Sequence, residues 1–280
     1  KSPDRGVQVK KGDQIVIRLT EVTFTCKDVP ELLARFMKDR KSHAGGEAPR
    51  NLMPMSEVLT RMVKNIDDRY YIGDQWQYYC PENANWMSYG WIGGLMNTYP
   101  MLALGDAEHL QKVKNTFDFA LPRAKGKSGY YYDVLGADGK PFSRDAAANH
   151  PGVGLTRKNG DILYWMVKQF MLLKEQEKAN AIDPEWETNV RLLADAFVNT
   201  WKKHGTWGNY LDVESGDIAV YNTTSGAMAV AGLALASGYY NNPDYLKVAC
   251  EAAKDYYDSF ALVGFTSGGC GDILQNADSE

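Results

Sequence analysis

The sequence predicts a mainly α fold in which helical hairpins succeed one another around a solenoid or a closed ring, preceded by a short β segment. Three observations predict it. From about residue 53 onward, apolar residues recur at helical spacing almost to the end of the chain. An apolar helix, an amphipathic helix and a long loop alternate along that stretch. Gly94, Gly160 and Gly226 mark successive apolar helices and stand 66 residues apart at each step, as repeated supersecondary units do. The alternation is the firmer evidence, because three glycines are few.

The elements run in order along the chain. Residues 7–25 alternate as strands do, with β-branched runs at 14–19 and 22–25 and a turn at Lys11-Gly12-Asp13. Two strands are not a stable unit alone; they read as the end of a β-rich domain over residues 1–27, or as a ribbon packed on the helices after it. Asp28 then caps a helix that has Pro30 in its first turn and Leu32, Leu33 and Phe36 at helical spacing. The charged, glycine-bearing stretch 38–50 reads as a linker, so residues 28–52 form a linker helix and loop. Helices are expected near 55–71, 86–104, 106–121, 157–178, 185–204, 223–239 and 243–260. Gly105-Asp106, Gly205 and Asn241-Asn242-Pro243 are the stop signals.

The gaps between helices differ in length. Turns 104–106 and 240–243 are short and join antiparallel neighbours. Gaps 72–85, 122–156, 205–222 and 261–278 are long and hold Gly, Asp, Asn and aromatic residues, as functional loops do. The first helix of each hairpin is rich in small apolar residues, such as Ser225-Gly226-Ala227-Met228-Ala229, and is expected to be buried all round. The second carries charges on one side, such as Glu251, Lys254, Asp255 and Asp258. That implies an inner and an outer ring, with every long loop leading into the start of an inner helix on one common face.

Composition bounds the function. The chain has 280 residues, 44% hydrophobic and 24% charged, with a net charge of −4. No basic cluster suggests a nucleic-acid partner. The longest apolar run, residues 227–236, is too short to cross a bilayer. The opening KSPDRGVQVKKGD is no secretory leader. Cys26, Cys80, Cys250 and Cys270 contain no C-x-x-C pair, which disfavours a zinc ribbon. Aromatic residues reach 12%; most are expected to fill the core, and the remainder could stack on sugar rings.

Several motifs carry a resemblance. Ser88-Tyr89-Gly90-Trp91-Ile92-Gly93-Gly94, Tyr99-Pro100-Met101-Leu102-Ala103-Leu104-Gly105, Leu155-Thr156-Arg157-Lys158-Asn159-Gly160-Asp161, Thr224-Ser225-Gly226-Ala227 and Gly271-Asp272-Ile273-Leu274-Gln275 resemble bacterial proteins of the six-hairpin glycosidase superfamily. The likeness covers roughly residues 53–280. It implies an (α/α)6 toroid, here a partial one, often with a β-rich domain in front. A full toroid has six hairpins; this chain supplies three and the cap of a fourth, so it is expected to be a fragment, with a toroid over 53–280 incomplete at its C-terminus. The resemblance also implies polysaccharide degradation, a periplasmic or secreted location and an inverting mechanism.

Glycoside hydrolysis usually needs two carboxyl groups, one protonated and one ionised. Helix N-termini suit them, because their N–H groups stabilise anions. Candidates on the loop face are Asp74, Glu82, Asp145, Asp161, Asp217, Asp272, Asp278 and Glu280. Glu82, Asp161 and Asp278 are the catalytic candidates. Glu82 sits among aromatics that would desolvate it; Asp161 opens an inner helix; Asp278 also reads as a plain N-cap. Trp76, Tyr79, Trp86 and Trp91 belong to the densest aromatic cluster and are candidate sugar platforms, with Tyr130-Tyr131-Tyr132 and Trp207 added to the same face. His150 and Arg157, beside Lys158, are candidates for binding an acidic sugar. No Ser-His-Asp signature, phosphate-binding glycine loop or metal-spaced His pair is present; no cofactor or metal is called for. The expectation is a glycoside hydrolase with a carbohydrate substrate. The alternatives are a polysaccharide lyase or unsaturated-uronide hydrolase, and a non-catalytic glycan-binding protein.

Overall fold

A computed structural model describes residues 9–43, 53–81, 85–90, 93–142, 152–221 and 224–262. The chain divides into two units, Lys1–Pro54 and Met55–Glu280.

The described residues of the first unit form one helix, α1 (Val29–His43). Asp28 Oδ1 accepts from the Glu31 amide at 2.8 Å, and Glu31 reaches back to the Lys27 amide at 3.1 Å. Together they satisfy N-terminal donors that the helix itself leaves open. The helix runs to His43, beyond the point where the sequence suggests a linker. The expected strands at 14–19 and 22–25 do not form a ladder: the described residues before α1 hold a turn, Asp13 N to Lys10 O at 3.0 Å, and no paired strand. A strand needs a partner, and no described residue of this unit pairs with these two runs. The β structure that does precede the packed hairpins lies later, at β1 (Tyr71–Ile72) and β2 (Tyr78–Tyr79).

The second unit opens with α2 (Met55–Tyr70) and that two-stranded ladder. Three hairpins come next: α3 (Gly94–Ala103) with α4 (Ala107–Arg123), α5 (Thr156–Glu175) with α6 (Pro184–His204), and α7 (Ala227–Tyr240) with α8 (Pro243–Tyr256). Helix α5 packs between α3 and α7, while α6 packs between α4 and α8. These are the inner and outer layers. Helix boundaries fall at Asp106, Gly205 and Asn242, within the expected stop signals, and Asp183 adds a cap that the sequence reading did not single out. Asp106 accepts from His109 N at 2.9 Å, Asp183 from Glu185 N at 2.8 Å and Asn242 from Asp244 N at 3.1 Å, and Gly205 ends α6 in the left-handed region at φ 66°.

Two differences from the sequence reading have physical causes. The expected helix at 86–104 starts only at Gly94, because β3 (Met87–Ser88) pairs with β4 (Val134–Leu135) instead. Helix α7 is not buried all round. It buries Ala229, Gly232, Leu233 and Ala236, while Ala231 and Ala234 are exposed. Among the described residues an inner helix covers α7 on one side only, α5, whereas α5 has an inner neighbour on both. The α5–α7 contact is close: a Cβ on Gly232 would lie 3.0 Å from the Leu163 side chain.

The long loops carry short strands. β4 also pairs with β5 (Pro141–Phe142), and β6 (Val153–Leu155) pairs with β7 (Tyr210–Asp212), which pairs with β8 (Ile218–Val220). Both three-stranded sheets are antiparallel and hold the loops onto the ends of the inner helices.

Candidate functional site

The sequence motifs meet where α5 begins. Asn159, fully buried on its first turns, accepts from Tyr131 N at 2.8 Å and donates to Tyr131 O and Leu155 O at 3.0 and 3.1 Å. Asp133, also fully buried, accepts from Leu155 N at 2.7 Å, and its carbonyl accepts from Tyr89 N at 3.1 Å. Thr156 N donates to Asn209 O at 2.8 Å, and Ser225 Oγ donates to Asn209 Oδ1 at 2.7 Å. A chain of hydrogen bonds therefore runs from the loop before α3, through the start of α5, to the start of α7.

Glycines make the approach possible. Gly90 has φ +65°, and a Cβ there would lie 2.7 Å from the Lys158 Cα. A Cβ on Gly160 would lie 2.8 Å from the Ala229 amide nitrogen, and one on Gly154 would lie 2.1 Å from the Tyr131 carbonyl oxygen. Gly94, Gly160 and Gly226 occupy different places: first residue of α3, inside the first turns of α5, and N-cap of α7. The equal spacing therefore marks no common register among the three helices.

Titratable groups are drawn into this girdle. Lys158 is 3% exposed, Asp161 2% and Asp133 0%; Arg157 is half-buried. All four are engaged by partners, as buried charges must be. A helix N-terminus stabilises nearby negative charge, and the cations at positions 157 and 158 act in the same direction on Asp161.

The sequence-predicted residues separate. Asp161 and Arg157 lie at the start of α5 as expected. Trp76 lies elsewhere, on the loop between β1 and β2, against the outer helix α4: the Arg123 guanidinium lies 4.7 Å over its ring, and the Phe119 ring is 5.5 Å away, tilted. Trp86 is half-buried just before β3. Tyr79 is fully buried and its hydroxyl donates to Asp67 at 2.7 Å, which places it in the core rather than on an open platform. The same correction applies to Tyr130, Tyr131 and Trp207, all fully buried; burial pushes the Tyr130 and Tyr131 hydroxyls far up. Large rings at the ends of inner helices fill the space that loops must bridge. Glu82, Asp278, Trp91 and His150 lie outside the described residues.

Sequence reasoning missed Asp133 and Asn209, and it singled out Thr224-Ser225 as a motif without giving it a role. Asp133 ends an aromatic run that reads as a platform, and Asn209 sits in an ordinary-looking turn. Thr224-Ser225 is visible as a start signal before a small-residue helix, but nothing local shows that Ser225 reaches across to Asn209.

Among the described residues no His, Cys, Asp and Glu group could hold a metal ion, and no helix is long and apolar enough to cross a membrane. No known family profile matches the sequence, and no curated protein matches it. Solved structures do match. A variant UGL with dGlcA-Glc-Rha-Glc aligns with TM-score 0.54 at 11% identity, over 86% of this chain and 62% of that one. The unsaturated glucuronyl hydrolase from Bacillus sp. GL1, responsible for the degradation of glycosaminoglycan, aligns with TM-score 0.53 at 11% identity, over 78% and 58%. Cellobiose 2-epimerase from Spirochaeta thermophila gives TM-score 0.49 at 10% identity, over 75% and 56%. The chain thus spans less than two thirds of each of these proteins. The two likenesses with TM-scores above 0.5 show a shared fold of packed helical hairpins.

Proposed function

We propose that this protein is a carbohydrate-active enzyme, a glycoside hydrolase that works where the inner helices begin. One observation carries the proposal: Asp161, Lys158 and Asp133 are buried together at the start of α5, where the loops of all three hairpins converge. Burying ionisable groups is costly, and groups buried at a loop end are candidates for chemistry. Asp161 is the carboxyl that donates or accepts the proton. Glu82 and Asp278 are the candidates for the second acid. Arg157 and Lys158 orient the sugar.

The test is hydrolysis of neutral and acidic polysaccharides, measured as reducing-end release. Asp161→Asn is expected to lower the rate on the cleaved substrate by about 10²-fold or more with the melting temperature retained. Full activity in Asp161→Asn, Glu82→Gln and Asp278→Asn alike would sink the assignment. A second reading, hydrolysis of unsaturated uronides, is favoured by the two cations at the start of α5 and by the substrates named for the similar structures. It predicts that only glycans ending in an unsaturated uronate turn over, and that Arg157→Ala removes this preference. Tight glycan binding without product would instead favour a non-catalytic glycan-binding protein.

A further inference from the structure

The β1–β2 loop, residues 73–77, has no part in the girdle around α5, yet its geometry is tightly constrained. Gly73 has φ +109°, and a Cβ there would lie 1.9 Å from the Trp76 carbonyl oxygen, so only glycine permits the turn that places Trp76 at its tip. The Trp76 ring is held from one side by Arg123 and Phe119. Its edge meets the β4–β5 turn, where a Cβ on Gly139 would lie 3.1 Å from the ring. The indole is therefore fixed rather than free to swing.

Two clefts share Asp74, Gln75 and Trp76. One, of about 640 Å³, continues past Tyr78 and Asn85; the other, of about 390 Å³, continues past Asn115, Asp118 and Arg123. Both fall within the roughly 300–1,000 Å³ of small-ligand sites. Neither is lined by a residue of α5 or α7. Polar groups surround the ring with bonding capacity to spare. Arg123 Nη1 donates to the Asp118 and Phe119 carbonyls at 2.8 and 3.0 Å, and among the described residues no carboxylate pairs with its guanidinium. One Asp118 carboxylate oxygen accepts from the Trp186 indole at 2.9 Å; the residue is exposed, as are Gln75 and Asp74.

A fixed, half-exposed indole beside amides, carboxylates and a guanidinium matches one chemistry: a pyranose ring, whose C–H face covers the aromatic while its hydroxyls donate to carboxylates and accept from amide and guanidinium N–H groups. The charges choose between sugars. Asp74 and Asp118 outnumber Arg123, which disfavours a polyanionic chain. We propose that the Trp76 loop is a second carbohydrate-binding site, packed against the C-terminal end of α4, that holds neutral sugar residues of a polysaccharide in clefts that no residue of α5 or α7 lines. It does not depend on what the inner-helix end does to that chain.

The experiment is titration of the whole chain with cellohexaose, laminarihexaose, xylohexaose and mannohexaose, and with hexagalacturonate as the acidic probe, read by calorimetry and tryptophan fluorescence. At least one neutral hexasaccharide is expected to bind, and hexagalacturonate more weakly. Trp76→Ala should weaken binding about tenfold and the surface-borne Gln75→Ala about threefold. Asp161→Asn should leave binding at this site unchanged while it lowers any hydrolysis by about 10²-fold or more. Gln75 is exposed, so its substitution keeps the test valid if Trp76→Ala does not fold. The proposal is overturned if no neutral probe binds, if hexagalacturonate binds best, if both cleft variants bind normally, or if Asp161→Asn removes the binding too.

Discussion

The loop end and the turn end of the helical hairpins solve the burial of polar groups in opposite ways. At the loop end, Asn159 and Asp133 are fully buried and bond mainly to backbone amides and carbonyls. At the turn end, Asp67 of α2 accepts from Lys112 at 2.9 Å and Tyr79 at 2.7 Å. His109 spans two carboxylates there, with Nε2 3.0 Å from Asp67 and Nδ1 2.6 Å from Asp106. That cluster is ionic and partly wetted. The difference is one of dielectric. Deep in the loop end, an unmade hydrogen bond has no water to replace it; at the turn end, water and salt compete with every pair.

Substitutions that test this contrast differ widely in expected cost. Asn159→Ala should cost the most, about 3–5 kcal/mol, because it strands the buried N–H and C=O of Tyr131 together. Urea unfolding measures it; a loss below about 1 kcal/mol would mean that the girdle is not the support it looks. Gly90→Ala comes next, at about 2 kcal/mol, because a left-handed φ and a 2.7 Å clash with Lys158 combine there. The same urea titration should resolve it from the wild type.

At the turn end, Asp67→Asn should cost only about 1–2 kcal/mol at pH 7, since exposure discounts its ionic bonds. Burial pushes the Asp67 carboxyl up, but the bonds from Lys112, Tyr79 and His109 together bring it below the usual carboxylate value. A depressed folded-state value stabilises above the unfolded one, near pH 3.9, and that stability fades as pH falls through the folded value. The wild type should therefore lose stability below about pH 4 more steeply than Asp67→Asn. Parallel acid limbs in the two proteins would remove the role given to Asp67. Glu57→Gln, which breaks the exposed i,i+4 pair with Arg61 at 2.7 Å, should change stability by less than about 0.5 kcal/mol and calibrates the others.

The helices of the second unit are legible for local reasons. Asp106, Asp183 and Asn242 cap where short-range rules put them, and Pro184 and Pro243 start helices as proline does. The motif around Asp161 is legible as the start of an inner helix. The tyrosines mislead because a loop sequence looks solvated wherever it folds; Tyr130 and Tyr131 are fully buried only because the hairpins close over them. The strands expected at 14–19 and 22–25 fail for the converse reason: β-propensity needs a partner that the local sequence cannot supply.

Helical periods, caps and short turns, and with them the order of inner and outer helices, are properties of the chain's local sequence. Each follows from contacts within a few residues. Only the packed molecule brings Ser225 to Asn209, lays Gly90 on Lys158, sets Trp76 against Arg123 and Phe119 of α4, and buries Asp133 beside the start of α5. Those pairings join residues far apart in the chain, and their energy comes from burial and hydrogen bonds that exist only once the hairpins have packed.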